Sequence, residues 1–430
     1  MTETAQQIVM DLVKAELSQF RPAQIEKVLQ LLEEGNTVPF IARYRKEATG
    51  SLDEVEIREI EERHQYATNL HKRKEEVIRI IEEQGKLTPK LKADIERADK
   101  MQRVEDLYRP YKQKRRTKAA IAREKGLAPF AEWLMSGPMN GSVEEKAKEF
   151  LNQENEEMEL STIEDVLAGA HEIIAEIISD EPAYREHIRE YTRKNGQIVS
   201  TAKDTDKDEK GVYEMYYEFS QGISSLVSHR VLAMNRGEKA GILKVAVLID
   251  EDKIFAYLAK KVVKNPKSIA VPYLQAAYED SYRRFIGPAI ERELRNELTE
   301  AADAQAIDVF GDNLRNLLLQ PPLKGKVVLG LDPAYRTGCK LAIVDATGKV
   351  LAKSVIYPHK PANQEKRAAA GPAFRKMLQD YKVEMVAIGN GTASRESELF
   401  VSEQIKQVLN TVYYAIVNEA GASVYSASDI

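Results

Sequence analysis

The order of short apolar segments in residues 326–430 limits most strongly what this chain can fold into. Three segments come first, at 327–331, 340–345 and 350–357, and residues 345–349 (DATGK) read as a hairpin turn between the second and third. A predicted helix, strand, helix and strand follow at 363–380, 384–389, 395–409 and 411–417. The predicted order is therefore βββαβαβ.

This order predicts a ribonuclease-H-like fold, in which the first and fourth strands lie side by side. Ligands of open α/β sheets bind in the crevice at the carboxyl ends of such strands. Asp332 follows the first predicted strand and Asn390 follows the fourth. We therefore expect these two side chains to face each other across the crevice.

The candidate catalytic carboxylates are Asp332 and Glu396, which lies in the following predicted helix. Nucleases of this fold hold two divalent metals about 4 Å apart, and this requires several anionic oxygen ligands. The fourth-strand position carries the neutral amide of Asn390, so no residue is assigned as catalytic or as a metal ligand. A binding or scaffold role without a cofactor is favoured. The alternative is a divalent-metal nuclease acting on structured nucleic acid, and only this alternative would need Mg²⁺.

The loops after the first and fourth strands, PAYRTG and GNGTAS, are rich in small and hydroxyl residues. Backbone N–H groups, hydroxyls and a helix N-terminus can converge on a phosphate oxygen in such loops. The phosphate-binding candidates are Arg336, Thr337, Gly338, Asn390, Gly391, Thr392 and Arg395. Ordinary turn and capping chemistry remains open as an alternative, with Thr392 or Ser394 as the cap of the following helix.

The first 320 or so residues read almost wholly as helix. A capping box formed by Ser51 and Glu54 is expected to open a long helix that reaches about residue 84. Thr88 is expected to cap another helix, with Pro89 in its first turn. Residues 241–263 read as a strand, a turn and a second strand or helix, and 201–211 as a charged loop. The composition changes at residues 321–322, and the predicted domains are 1–200 (helical, with a helix-turn-helix element), 201–320 (central helical region) and 326–430 (α/β).

Two basic stretches are candidates for nucleic-acid binding. Two short helices joined by a Gly-containing turn, beside Arg43, Arg45 and Lys46, suggest a helix-turn-helix element. Residues 101–125 hold nine basic and three acidic residues, interleaved with tyrosines. The candidates in this segment are Lys112, Lys114, Arg115, Arg116 and Lys118. The alternative is that this segment docks on the acidic stretch 144–165 of the same chain.

The overall charge and the cysteine content narrow the class of protein. The net charge is −5, so any anionic partner must be held by a local basic patch. Cys339 is the single cysteine, which excludes a disulfide within the chain and fits a reducing compartment, with no disulfide-linked partner expected. The N-terminus lacks the order of a signal peptide and no window is apolar enough to span a membrane, so we expect a cytoplasmic protein. The spacing of the histidines predicts no Ser-His-Asp group and no metal site.

Five long motifs together resemble the bacterial Tex transcription accessory family. They lie at 38–63 (VPFIARYRKEATG…), 107–119 (LYRPYKQKRRTKA), 228–245 (SHRVLAMNRGEKAGILKV), 329–345 (LGLDPAYRTGCKLAIVD) and 388–398 (IGNGTASRESE). The resemblance covers essentially the whole chain, with the motifs in the family's order.

The resemblance implies a helical N-terminal domain with helix-turn-helix character, a central helical region and a YqgF-type domain related to Holliday-junction resolvases. It further implies a downstream helix-hairpin-helix pair and an OB-fold RNA-binding domain, so we expect this chain to be truncated before them. RNA, DNA or both, and also the transcription machinery, are the implied partners. A YqgF domain without a complete nuclease site is implied as well.

Overall fold

The computed structural model describes residues 3–112, 116–151, 160–319 and 324–427. It divides into two compact units, Met1–Glu300 and Ala301–Ile430. The first unit is mostly helical and the second is a mixed α/β unit, as the sequence predicts. No helix of the described part is long and apolar enough to cross a membrane.

The described residues up to 318 are mainly α-helical, and the last of these helices continues past the end of the first unit. In chain order they are α1 (Glu3–Glu16), α2 (Pro22–Glu33), α3 (Val38–Tyr44), α4 (Lys46–Thr49), α5 (Glu54–Glu83), α6 (Pro89–Arg97), α7 (Met101–Tyr108), α8 (Lys118–Glu124), α9 (Ala128–Ser136), α10 (Val143–Lys148), α11 (Ile163–Asp180), α12 (Pro182–Asn195), α13 (Ser228–Lys239), α14 (Glu251–Val262), α15 (Val271–Asp280) and α16 (Gly287–Leu318).

Of the two helix starts predicted in the first unit, one is confirmed and one needs a correction. The Thr88 hydroxyl accepts a hydrogen bond from the Leu91 backbone N–H at 3.2 Å and caps α6 as predicted. The capping box of α5, however, is formed by Asp53 and Glu56, not by Ser51 and Glu54. Ser51 has a left-handed backbone (φ +69°) and belongs to the turn that ends α4, so its hydroxyl does not cap α5.

A three-stranded antiparallel sheet in the first unit corrects the almost wholly helical expectation. Its strands are β1 (Gln197–Ala202), β2 (Glu218–Gly222) and β3 (Leu243–Leu248), in the order β2-β1-β3. β3 and α14 match the predicted strand and its helical alternative within 241–263. β1 (QIVSTA) and β2 (EFSQG) carry few apolar residues, and β1 pairs with β3 more than forty residues away, from Gln197 to Leu248. Local periodicity therefore gave no signal for them.

The second unit has the predicted ribonuclease-H-like order βββαβαβ, followed by one further helix that was not predicted. The elements are β4 (Val328–Asp332), β5 (Cys339–Val344), β6 (Val350–Ile356), α17 (Gln364–Asp380), β7 (Met385–Gly389), α18 (Ser394–Ile405), β8 (Tyr413–Val417) and α19 (Ala420–Ala427). The sheet order is β6-β5-β4-β7-β8, with β4 antiparallel to β5 and parallel to β7. The expectation that the first and fourth strands are neighbours is confirmed.

The core of the second unit lies on one face of this sheet. Leu329, Ile343 and Val386 are fully buried there, together with Phe374 of α17 and Val401 of α18. Alternation along each strand sends the next side chain to the opposite face. The bounds of the elements agree with the prediction to within one or two residues, except that α18 ends at Ile405, four residues earlier than expected.

Candidate nucleic-acid interface and strand-end crevice

The carboxyl ends of β4 and β7 lie at the same edge of the sheet, since the two strands are parallel. A cavity of about 1070 Å³ opens on the sheet beside this edge. Asp332, Lys340 and Glu419 are among its lining residues. Asp332 is exposed, and its carboxylate lies 3.4 Å from the Lys340 ammonium. Asp332 therefore stands at the predicted crevice with a cation beside it.

Glu419 is a second carboxylate of this crevice that the sequence reading missed. Its backbone N–H donates a hydrogen bond to Oδ1 of Asn390 at 3.1 Å. Its carboxylate lies directly over Gly389 and Gly391, where a Cβ at either position would collide with it. Glu419 follows β8 by two residues, so the strand-end rule that selects Asp332 and Asn390 also selects Glu419 once β8 is included.

Glu396 does not line this cavity. The carboxylate of Glu396 accepts a hydrogen bond from the Tyr335 hydroxyl. A positive charge on His359 also favours the ionised form of this carboxylate. Hydrogen bonds from its own backbone N–H and from Tyr335 lower the pKa of Glu396. The crevice thus brings Asp332 together with Glu419 and not with Glu396. Among the described residues, no group of three or more His, Cys, Asp or Glu side chains is placed to hold a metal ion.

The phosphate-binding candidates lie in the loops after β4 and β7 and in the first turn of α18, but the Glu419 carboxylate occupies the space at Gly391. Arg336, Thr337, Asn390, Thr392 and Arg395 are exposed. Gly338 is buried with φ +80°, where a Cβ would collide with Tyr357 and Val355, so this glycine is needed by the turn itself. A phosphate placed at Gly391 would meet the negative charge of Glu419.

The start of α18 differs from both expected caps. The N-cap residue is Ala393, in a left-handed conformation (φ +67°), and no side-chain hydrogen bond caps the helix. The backbone N–H of Ser394 donates instead to the carbonyl of Gly391 at 3.2 Å. Neither Thr392 nor Ser394 therefore acts as the cap.

A histidine–serine contact lies beneath the same helix. Nε2 of His359 is 2.8 Å from Oγ of Ser397, and Sγ of Cys339 is 3.8 Å from that oxygen. Burial lowers the pKa of His359 and raises the pKa of the Cys339 thiol. Since Ser397 and Cys339 are fully buried, the group packs α18 against the sheet and offers no nucleophile to a substrate. The residues are far apart in the sequence, which explains why their spacing gave no signal.

The outer face of α3 and the start of α4 form a cationic and aromatic surface, which we call the α3–α4 corner. It consists of Phe40, Arg43, Tyr44, Arg45 and Lys46, all exposed. The opposite face of α3 is buried through three apolar residues, Val38, Ile41 and Ala42. Thr37 caps α3, and Gly50 ends α4 in a left-handed conformation.

The three cations of the corner have no carboxylate partner within 4 Å in the described ranges 3–112, 116–151, 160–319 and 324–427. The guanidinium carbon of Arg45 lies 5.2 Å from the centre of the Phe40 ring. The rings of Phe40 and Tyr44 are 5.2 Å apart and tilted by 46°. The corner therefore presents unneutralised positive charge next to exposed rings.

The second basic stretch, residues 101–125, is called the basic segment below. Lys114 and Arg115 lie outside the described residues. The remaining candidates Lys112, Arg116 and Lys118 are exposed. Among the described residues, four cations of the segment pair with carboxylates of α11 and α12: Arg103 with Glu186 (2.9 Å), Arg109 with Asp180 (3.2 Å), Lys118 with Glu172 (3.8 Å) and Arg123 with Glu176 (2.6 Å).

These ion pairs support docking within the chain, and Asp165 of the expected stretch takes part because the charge of Lys125 acts on it. The four ion pairs to α11 and α12 use other carboxylates, which belong to residues 172–186 and not to 144–165. Arg116 pairs within the segment itself, with Glu124 at 2.8 Å. Carboxylates of the same chain therefore neutralise much of the positive charge of the basic segment.

The fold defines a class of protein, mostly helical and multidomain, with one ribonuclease-H-like domain. Three family models match this chain: the Tex-like protein N-terminal domain over residues 7–82, the Tex central region over 140–310 and the Tex protein YqgF-like domain over 326–430. The chain belongs to the Tex family.

Similar proteins occur in bacteria and in animals. The chain is 58% identical to "Uncharacterized protein YdcI" of Bacillus subtilis over 407 residues, 94% of this chain and 56% of that protein. It is 38% identical to "Transcriptional accessory protein Tex" of Neisseria gonorrhoeae over 413 residues (95% and 53%). It is 33% identical to "S1 RNA-binding domain-containing protein 1" of Homo sapiens over 433 residues (97% and 42%). The chain spans about half the length of the relatives it matches.

Proposed function

We propose that this chain binds nucleic acid as an accessory protein of transcription, and that the α3–α4 corner contacts the phosphate backbone. The observation that carries the proposal is the exposed set of Arg43, Arg45 and Lys46, which form no ion pair with any carboxylate of the described residues. The names of the relatives, one a transcriptional accessory protein and one an S1 RNA-binding protein, support the same role. RNA, DNA or both are the proposed partners, together with the transcription machinery.

The physical basis of binding at the corner is the release of counterions from the nucleic acid. Each phosphate that a Lys or Arg neutralises steepens the negative slope of log K against log salt by about 0.7 for a single strand and about 0.9 for duplex DNA. An overall net charge of −5 gives no general attraction, so a local cluster is required. Arg43, Arg45 and Lys46, three nearby cations without an ion-pair partner in the part of the chain that the structure describes, provide one.

The direct test replaces Arg43, Arg45 and Lys46 with Gln together. We expect the magnitude of the negative salt slope to decrease by about two to three. The affinity at about 0.1 M salt should fall on the order of a hundredfold. Fluorescence anisotropy with single- and double-stranded RNA and DNA at several salt concentrations measures both quantities. The matched control is the triple Gln variant of Lys90, Lys92 and Arg97, three exposed cations of α6 with the same charge change. An equal loss in the two variants would contradict a specific contact at the corner.

The ribonuclease-H-like domain is proposed to be non-catalytic. Among the described residues, two carboxylates, Asp332 and Glu419, line the crevice. The neutral Asn390 follows β7, and its amide oxygen accepts a hydrogen bond from the Glu419 backbone N–H. A two-metal site needs more anionic ligands than this. The domain is therefore assigned a scaffold role, without a metal cofactor.

The shared cavity of Asp332 and Glu419 is the observation that favours the nuclease alternative. Under that alternative these two carboxylates would hold Mg²⁺, which would polarise a phosphate and lower the pKa of a bound water. The test incubates junction, duplex and single-stranded substrates with Mg²⁺ or Mn²⁺, using the wild type, Asp332→Asn and Glu419→Gln. We expect no cleavage from any of them. Cleavage by the wild type that both variants lose would overturn the non-catalytic assignment.

A further inference from the structure

Two aromatic side chains of the α3–α4 corner are exposed and lie outside the buried core of the described residues. Phe40 is 37% exposed and Tyr44 is 64% exposed, although they are four residues apart on one short helix. Residues at this spacing lie on the same face of a helix. The core is filled from the other face, by Val38, Ile41 and Ala42. Packing of the first unit therefore does not explain why aromatic residues stand at 40 and 44.

The groups around the two rings form a surface on which a planar ligand could stack. Phe40 carries the Arg45 guanidinium at 5.2 Å from its ring centre, and Tyr44 lies beside Phe40 at 5.2 Å. A guanidinium is planar and stacks on aromatic faces, so it extends the ring surface while keeping its charge. Because the rings are tilted by 46°, a single flat group cannot lie parallel to both. Tyr44, the more exposed ring, is the one open to a base.

We propose that the α3–α4 corner selects single-stranded nucleic acid by stacking a base on Tyr44, next to Phe40, while Arg43, Arg45 and Lys46 hold the adjacent phosphates. This inference rests on the proposed function and adds the form of the nucleic acid. The alternation of aromatic and basic residues over 40–46 supplies both contacts within two short helices. Aromatic platforms flanked by cations are a general means of binding single strands without sequence preference.

The geometry disfavours a duplex as the ligand of the two rings. In a duplex each base is stacked between its neighbours, and its faces are not available to a side chain without unstacking. The corner is a convex helix surface with rings on it, and a duplex would touch it only through phosphates. Binding to a duplex therefore uses the cations alone, whereas binding to a single strand uses cations and rings.

The experiment compares Tyr44→Leu, Phe40→Leu and Tyr44→Phe in the whole chain. The probes are oligouridylate and oligothymidylate of about twelve nucleotides, an abasic strand of the same length and charge, a duplex, and polyglutamate as an acidic polypeptide. We expect Tyr44→Leu to weaken binding of the base-bearing strands by roughly five- to a hundredfold. Binding of the abasic strand and the duplex should change less than about twofold, with the salt slope unaltered. Tyr44→Phe should keep the wild-type affinity, because it keeps the ring.

The matched control is Tyr413→Leu, since Tyr413 has the same exposed fraction of 64% but lies in β8. Equal binding of base-bearing and abasic strands by the wild type, or an unchanged affinity in Tyr44→Leu, would overturn the stacking role. If the triple Gln variant of the cations still loses affinity in that case, the proposed function survives without the inference. Polyglutamate binding that Tyr44→Leu weakens as strongly as oligouridylate binding would point to a protein partner instead. Absence of binding by the wild type to every nucleic acid overturns both proposals.

Discussion

The α3–α4 corner and the basic segment look alike in the sequence and differ in the fold. Both combine several Lys and Arg residues with tyrosines, and both are candidates for nucleic-acid binding on composition alone. In the corner, Arg43, Arg45 and Lys46 form no ion pair within 4 Å in the part of the chain that the structure describes. In the basic segment, Arg103, Arg109 and Arg123 each pair with a carboxylate of α11 or α12.

The tyrosines differ in the same way as the cations. Tyr108 of the basic segment is buried, and the Arg73 guanidinium lies 5.3 Å from its ring centre. Tyr44 of the corner is open to solvent. A basic and aromatic sequence is thus a surface in one region and part of a helix–helix contact in the other. The density of charge along a chain does not decide between these outcomes, because the carboxylates that neutralise it come from residues far away in the sequence.

The deepest part of the contact is a buried ion cluster around Asp106 of the basic segment. Asp106 is 2% exposed and lies 3.1 Å from Arg185 and 2.9 Å from Arg189, both on α12. Glu293 of α16 pairs with the same two arginines, at 3.1 and 2.8 Å. Charges taken out of water need complete pairing, so each member depends on the others.

The largest effect is therefore expected from Asp106→Ala. The change leaves two buried guanidinium groups with Glu293 as their carboxylate partner, and removal of one partner from a buried ion pair costs about 3–5 kcal/mol. We expect the free energy of unfolding of the first unit to fall by about this amount, measured by urea denaturation of the whole chain and followed by circular dichroism.

The control for this prediction is Asp206→Ala, which removes an exposed carboxylate with the same change in charge. Its free energy of unfolding should stay within about 0.5 kcal/mol of the wild type. A small loss in Asp106→Ala, comparable to the control, would show that the basic segment is not held by this cluster. The claim that buried ion pairs fix the basic segment, whereas the corner has none with the described residues, would then be wrong.

The strand order of the second unit could be read from the sequence because its signals are local. Each strand of 327–417 is a short apolar run ended by Gly, Asp, Asn or Pro, and one face of the sheet is buried, which gives alternation. Thr88 was found for the same reason, since a cap and its helix are adjacent. The candidates Asp332 and Asn390 follow from the strand ends alone.

The remaining features depend on distance or on backbone geometry that residue types do not reveal. The stretch SLDEVE contains two overlapping capping boxes, and the left-handed turn at Gly50 and Ser51 selects the second. Glu419 reaches Asn390 and Gly391 only because β8 lies beside β7 in the sheet. The sequence predicts acidic partners of the basic segment in 144–165, whereas the carboxylates of its ion pairs to α11 and α12 lie at 172–186. Tertiary packing decides which sides of these helices face the segment.

The smallest effect is expected from Lys112→Gln/Arg116→Gln in the basic segment. This variant tests most directly whether the corner and the basic segment differ in nucleic-acid binding. Both residues are exposed, and the pair of Arg116 with Glu124 is itself largely exposed, so it stabilises little and leaves Arg116 free to turn toward a phosphate. If binding is confined to the corner, this double variant should change the salt slope by less than about 0.5. The corner variant Arg43→Gln/Lys46→Gln loses the same two charges. It should decrease the magnitude of the salt slope for a single strand by about 1.4. Anisotropy titrations of the two variants against one strand, over the same range of salt, measure the difference. Equal slopes in the two variants would mean that nucleic acid contacts both regions, and that the ion pairs of the basic segment hold its position without hiding its charge.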